Sequence, residues 1–157
     1  MQEMTDVSPS DVAIVGMALR VPGAATTDQF WRNLKAGVES IRSVPDEEAL
    51  AAGESPARLQ HPNYVGRTAD VADMELFDAE FFGLSPKEAA IMDPQHRKFL
   101  ECAWEAMEAA GRTPNTLAGP IGVFAGCGMG SYFYFNICSN PQLVDETGMF
   151  LLRHTGN

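Results

Sequence analysis

The chain has 157 residues, 45% hydrophobic and 20% charged, a balance that fits one soluble globular domain able to bury a core. With 11 Lys and Arg against 21 Asp and Glu, the formal charge is −10. Binding that relies on neutralising phosphates needs a basic footprint, so nucleic acid and an anionic membrane surface are both disfavoured as partners.

Residues 1–10 read as a polar lead-in, with no basic or apolar region of a signal peptide. Asp11-Val-Ala-Ile-Val-Gly16 is a short apolar run ending in glycine and is expected to form a buried strand. Val21-Pro22-Gly23 is turn chemistry. Thr26 with Gln29 three residues on predicts a helix start, Phe30, Trp31 and Leu34 make one apolar face, and Gly37 is the stop. From Glu39 to Asp73 the pattern weakens under repeated Pro and Gly, and a long, mostly irregular excursion is expected, with a helical turn or two over Asp46–Leu50.

The run from Met74 to Gly83 carries Leu76, Phe77, Phe81 and Phe82 and is expected to plug into a core. Ser85-Pro86-Lys87-Glu88 combines an N-cap Ser, Pro at the first helical position and Glu three residues on. The strongest helix is predicted to start at the cap Asp93 and to stop at Gly111. Phe99, Leu100, Ala103, Trp104, Met107 and Ala110 form its apolar stripe, and Lys98, Glu101, Glu105 and Glu108 take the other face. Ile121-Gly-Val-Phe-Ala-Gly126 is expected to be a second buried strand, which makes the pattern α/β. An aromatic run follows over Ser131–Ile137, Asn140-Pro141 breaks it, and a last helix is expected over Gln142–Arg153. The chain stops directly after that apolar stretch, as a segment of a larger domain would.

Three groups of residues invite a chemical reading. Gly126-Cys-Gly128-Met-Gly130 after a strand, with Asp145 downstream, partly matches a dinucleotide fingerprint, but Ser131 and the aromatic run depart from it. Otherwise these glycines serve close backbone approach or positive φ. Cys127, at a strand-to-turn junction, is a candidate nucleophile, while Cys102 and Cys138 read as structural. Asp93 and His96 lie within one helical turn as a candidate acid–base pair, although capping alone explains Asp93. The 3 Cys and 3 His show no metal-ligand spacing and no disulfide framework, so a reduced, cytoplasmic protein without a metal is expected.

Several segments together resemble one family. Val12-Ala-Ile-Val-Gly-Met-Ala-Leu-Arg-Val-Pro-Gly23 looks like the opening strand of β-ketoacyl synthase domains, especially those of modular type I polyketide synthases. Phe30-Trp-Arg-Asn-Leu34 with Gly37, Glu39, Ser40 and Ile41 is similar to a second signature of that family. Phe77-Asp-Ala-Glu-Phe-Phe-Gly-Leu-Ser-Pro86, Met92-Asp-Pro-Gln-His-Arg97, Glu101-Cys-Ala-Trp-Glu-Ala-Met-Glu-Ala-Ala-Gly111 and Gly122-Val-Phe-Ala-Gly126 continue the series in order.

The resemblance implies an α/β, thiolase-like fold of which residues 11–157 are only the N-terminal portion, ending before the catalytic cysteine motif. It implies decarboxylative Claisen condensation of an acyl thioester with a malonyl-type extender, an acyltransferase activity of the whole synthase. The nucleophilic cysteine and two histidines of the family sit in motifs that this sequence does not contain. No catalytic residue is carried over, and the chain alone is expected to be inactive. What carries over is the wall of the acyl channel, at Phe133, Phe135, Ile137, Met149 and Phe150. No cofactor is expected on this chain, because the substrate would ride on the phosphopantetheine of an acyl carrier protein. The implied partners are that carrier protein, other polyketide synthase domains and a second copy in a homodimer of the whole enzyme. A basic docking patch for an acidic carrier would lie outside this acidic segment. The alternative is a non-catalytic scaffold or interaction module of the same fold.

Overall fold

A computed structural model describes residues 8, 10–113, 116, 119–128 and 130–147. Local signals set most of the helices. In helix α1 (Thr27–Ala36) the Thr26 hydroxyl accepts the Gln29 amide, and Gly37 closes the end at φ 64°. Its apolar face has little cover, with Trp31 59% exposed. Helix α4 (Pro86–Ile91) starts in a complete capping box between Ser85 and Glu88. Helix α5 (Pro94–Ala109) is the longest element, and Gly111 beyond it takes φ 66°.

The stretch from 39 to 73 is more ordered than its sequence pattern implies. It holds strand β1 (Arg42–Ser43), helices α2 (Asp46–Ala51) and α3 (Pro56–Leu59), and strand β2 (Arg67–Thr68). The two strands pair antiparallel, Arg42 with Thr68 and Ser43 with Arg67. Arg42 pins this hairpin, donating to Asp70 at 2.6 Å and to Glu48 at 2.7 and 2.9 Å. These exposed ion pairs join residues up to 28 positions apart, contacts that no hydrophobic period reports.

Both expected apolar strands come out otherwise. Residues 11–16 and 121–126 belong to no ladder, and their side chains stand open, with Val12 94%, Ile14 80%, Val123 72% and Phe124 97% exposed. An apolar run becomes a strand only when neighbours satisfy its backbone groups, and among the described residues neither run has a partner. The segment 11–16 instead meets α5 edge-on at Gly16, where an added Cβ would stand 2.0 Å from the Ala106 carbonyl oxygen.

The faces of α5 also differ from expectation. Its buried residues are Arg97 and Lys98, while Phe99 of the apolar stripe is 44% exposed. The Lys98 ammonium reaches the Leu76 carbonyl at 2.9 Å and Glu101 at 3.0 Å, so its charge is paired where it is buried. The aromatic run over 74–83 does pack on this helix, with the Phe81 ring edge-on to Trp104 at 4.8 Å.

A π-helical turn follows at Phe133–Ile137, closed by the Cys138 amide on the Phe133 carbonyl at 2.9 Å. Helix α6 then covers 141–147, with the Asn140 side chain accepting the Leu143 amide at 3.2 Å. The remainder of the expected last helix lies outside the described residues. Ile91 of α4 and Ile137 form the buried centre, with Tyr132, Phe133, Leu143 and Val144 packed around them. Among the described residues, apolar side chains such as Val12, Ile14, Val123 and Phe124 are left without cover.

Candidate functional site

The start of α5 and the glycine-rich segment come together. Asp93 accepts the Gln95 amide at 2.8 Å, and Pro94 occupies the first helical position, so the cap orients the first turn. That turn offers two side chains to residues 125–128. The Gly128 amide donates to Gln95 Oε1 at 3.3 Å, and His96 Nε2 lies 3.5 Å from Cys127 Sγ. Beside this contact lies a cavity of about 190 Å³ lined by Gln95, His96, Phe99, Ala125, Gly126 and Cys127.

Asp93 is therefore a cap, as its sequence position indicates, and the partner of His96 is Cys127. Nothing in the local pattern pairs these two residues, which lie 31 positions apart. The dinucleotide reading gains no support, because no strand leads into Gly126 and a π-helical turn follows Gly130. Neither Gly126 nor Gly128 has a positive φ, so of the two roles expected of these glycines only close approach remains. Neither glycine shows that either: a Cβ on Gly128 would meet Gln95 Oε1 only at an ordinary 3.5 Å, and nothing crowds Gly126.

The expected channel residues fall on different sides of the chain. Ile137 is 1% exposed and Phe133 packs beside it, while Phe135 is 76% exposed. The Tyr132 hydroxyl, donating to the Ala90 carbonyl at 2.8 Å, ties this segment to α4. Met149 and Phe150 lie outside the described residues.

Charge pairing braces the other flank of α5. Arg20 meets Glu105 through two parallel hydrogen bonds, one of them at 2.8 Å, and its Nη1 also reaches the Leu19 and Ala25 carbonyls at 3.0 Å. The bonds to Glu105 raise the guanidinium above its ordinary value, and those from Arg20 hold the Glu105 carboxyl below its usual range. Desolvation pushes the Cys102 thiol up, which fits a structural role. Arg97 is buried, donates to the Glu75 carbonyl at 3.3 Å, and leaves its Nε without a partner among the described residues. No group of three metal-ligating side chains occurs among the described residues, and no helix among them is long and apolar enough to cross a membrane.

Comparison with known proteins gives a consistent result. The family model described as "Beta-ketoacyl synthase, N-terminal domain" matches residues 9–154. Polyketide synthase PksM of Bacillus subtilis is 43% identical over 128 residues, covering 74% of this chain and 3% of the relative. Erythronolide synthase EryA2 of Saccharopolyspora erythraea is 42% identical over 134 residues, covering 80% of this chain and 4% of the relative. The chain thus spans less than a tenth of the length of these relatives. Among solved structures, ketosynthase twelve of the bacillaene polyketide synthase of Bacillus amyloliquefaciens superposes with a TM-score of 0.55 at 42% identity, over 61% of this chain and 17% of that one. The module 6 ketosynthase of the bacillaene synthase of Bacillus subtilis 168 gives 0.55 at 37% identity, over 67% and 18%. These neighbours are thiolase-like ketosynthase domains, and the chain covers only their N-terminal portion.

Proposed function

Because the chain belongs to the β-ketoacyl synthase family, as its N-terminal domain, we propose that it is the N-terminal part of a polyketide ketosynthase. The carrying observation is the match over residues 9–154 together with relatives that are polyketide synthases. The whole enzyme would join an acyl group, held as a thioester on a cysteine, to a malonyl-type extender. Loss of carbon dioxide leaves an enolate, its carbon attacks the acyl carbonyl, and the cysteine thiolate departs. The cysteine and the histidines that polarise the developing oxyanion belong to motifs not present here.

This chain's own contribution in that reading is part of the acyl channel. Phe133, Phe135 and Ile137, with Met149 and Phe150, would form one wall. The exposure of Phe135 supports its presenting a ring to substrate, and the burial of Ile137 supports a backing role behind that wall. The substrate would arrive on the phosphopantetheine arm of an acyl carrier protein. A cytoplasmic homodimer working beside other polyketide synthase domains is the setting this implies.

The test uses the full-length synthase carrying Phe135→Ala, with condensation rates measured over a series of acyl lengths. A shift toward longer acyl groups is expected, since each methylene in an apolar site is worth about 1–3 kcal/mol of discrimination. An unchanged length profile refutes the channel assignment. The 157-residue chain alone should form no β-ketoacyl product. Product formation by it would overturn the reading of the chain as a non-catalytic segment.

A further inference from the structure

The geometry points to a reactive-thiol site at Cys127, with His96 as its base and the adjoining cavity as the seat for a small, soft electrophile carrying an apolar group. The proposal stands apart from the condensation chemistry, because neither residue matches the family's nucleophile or histidines.

Four observations carry it. His96 Nε2 is 3.5 Å from Cys127 Sγ, close enough for the thiol proton to pass to the imidazole. Cys127 is exposed, so its sulfur is reachable, whereas Cys102 is half-buried. The pair is held by independent bonds on either side. Gln95 Oε1 accepts the Gly128 amide at 3.3 Å, and Asp93 caps the turn that bears both Gln95 and His96. Finally, Cys127 and His96 both line a cavity of about 190 Å³ whose apolar wall includes Phe99 and Ala125, space that a packing contact alone does not require.

The chemistry that fits is conjugate addition to an α,β-unsaturated carbonyl compound. The Cys127 proton moves to His96 Nε2, and the thiolate attacks the β-carbon. An S–C bond forms as the C=C π bond breaks, and the imidazolium returns its proton to the α-carbon. Atoms balance, and no oxidant or further reactant enters. The apolar wall favours an aromatic or alkyl substituent on the acceptor.

Cys138 is also exposed and free, which provides a reference within the same chain. The 157-residue chain is treated with limiting N-benzylacrylamide at neutral pH, and alkylation is followed by mass spectrometry of chymotryptic peptides. These separate Cys127 (125–132) from Cys138 (136–143) and Cys102 (101–104). General-base assistance accelerates by about 10²-fold or more, so Cys127 should react at least about 10-fold faster than Cys138. In His96→Gln that advantage should vanish while the Cys138 rate holds. Equal rates in the wild type, or a His96→Gln chain that keeps the advantage, overturn the proposal. Should His96→Gln unfold, shown by Cys102 becoming as reactive as Cys138, the decisive measurement is the wild type in concentrated guanidinium. There the advantage must disappear, and its persistence would reject the dyad.

Discussion

Arg20 and Glu105, 85 positions apart, face each other through two parallel hydrogen bonds that fasten the turn at Val21–Ala24 to the middle of α5. Arg20 also donates to the Leu19 and Ala25 carbonyls on either side of that turn, so a single guanidinium links a loop to a helix. Planar, bidentate pairing makes arginine suited to such a junction.

The pair predicts a pH dependence. Glu105 has its carboxyl lowered, chiefly by the hydrogen bonds from Arg20. Its contribution is therefore fully present above the unfolded carboxylate value of about 4.3 and is lost as pH falls through the lower folded value. With the Glu105 side chain 43% exposed, solvent screening holds the contribution to under about 1 kcal/mol. Urea titrations at acid and neutral pH, followed by circular dichroism at low protein concentration, should show wild type and Glu105→Gln converging as the solution is acidified. Parallel curves would contradict the assignment.

Gly16 and Gly126 end the two apolar runs, yet they should respond differently to a methyl group. A Cβ on Gly16 would stand 2.0 Å from the Ala106 carbonyl oxygen and 3.1 Å from the Ala110 nitrogen, both backbone atoms of or next to α5. Gly126 has nothing within 4 Å. Gly16→Ala should therefore force 11–16 away from the helix and lower the urea midpoint, while Gly126→Ala leaves the midpoint unchanged. Equal effects from the two substitutions would refute the edge-on contact.

Ile137 and Phe135 sit two residues apart and divide core from surface. Ile137→Ala removes a side chain that is 1% exposed and packed on Ile91, and should cost about 2–4 kcal/mol. Phe135→Ala removes a ring that is 76% exposed and should stay within about 0.5 kcal/mol of wild type. Denaturation midpoints of both variants decide the matter, and a large loss for Phe135→Ala would move that ring into the core.

The open apolar runs predict association. Val12, Ile14, Val15, Val123 and Phe124 are each more than 70% exposed. Contiguous apolar surface of this kind draws copies together and binds hydrophobic dyes. Size-exclusion chromatography over a concentration series should show growing assemblies, with dye fluorescence well above that of an ordinary folded domain. A monodisperse chain with no dye binding would mean that these runs are covered in solution.

Much of the helical structure was legible because its determinants are local. Thr26, Ser85 and Asp93 each accept an amide two or three residues on, and Gly37 and Gly111 adopt the left-handed backbone that ends a helix. The ordered family signatures were legible for a different reason, since order and spacing survive in sequence whatever the chain pairs with. Tertiary structure alone decided the rest. The runs at 11–16 and 121–126 have the composition of buried strands, but a ladder requires a second strand, and no residue within either run supplies one. Lys98 lies on the polar face of α5, yet the Leu76 carbonyl and Glu101 let it be buried. His96 meets Cys127 only because a capped helix start and a glycine-rich segment are brought together in space. Caps and stops act over one turn of chain, while strand pairing, buried charge and side-chain juxtaposition depend on groups remote in sequence, and those only the folded chain assembles.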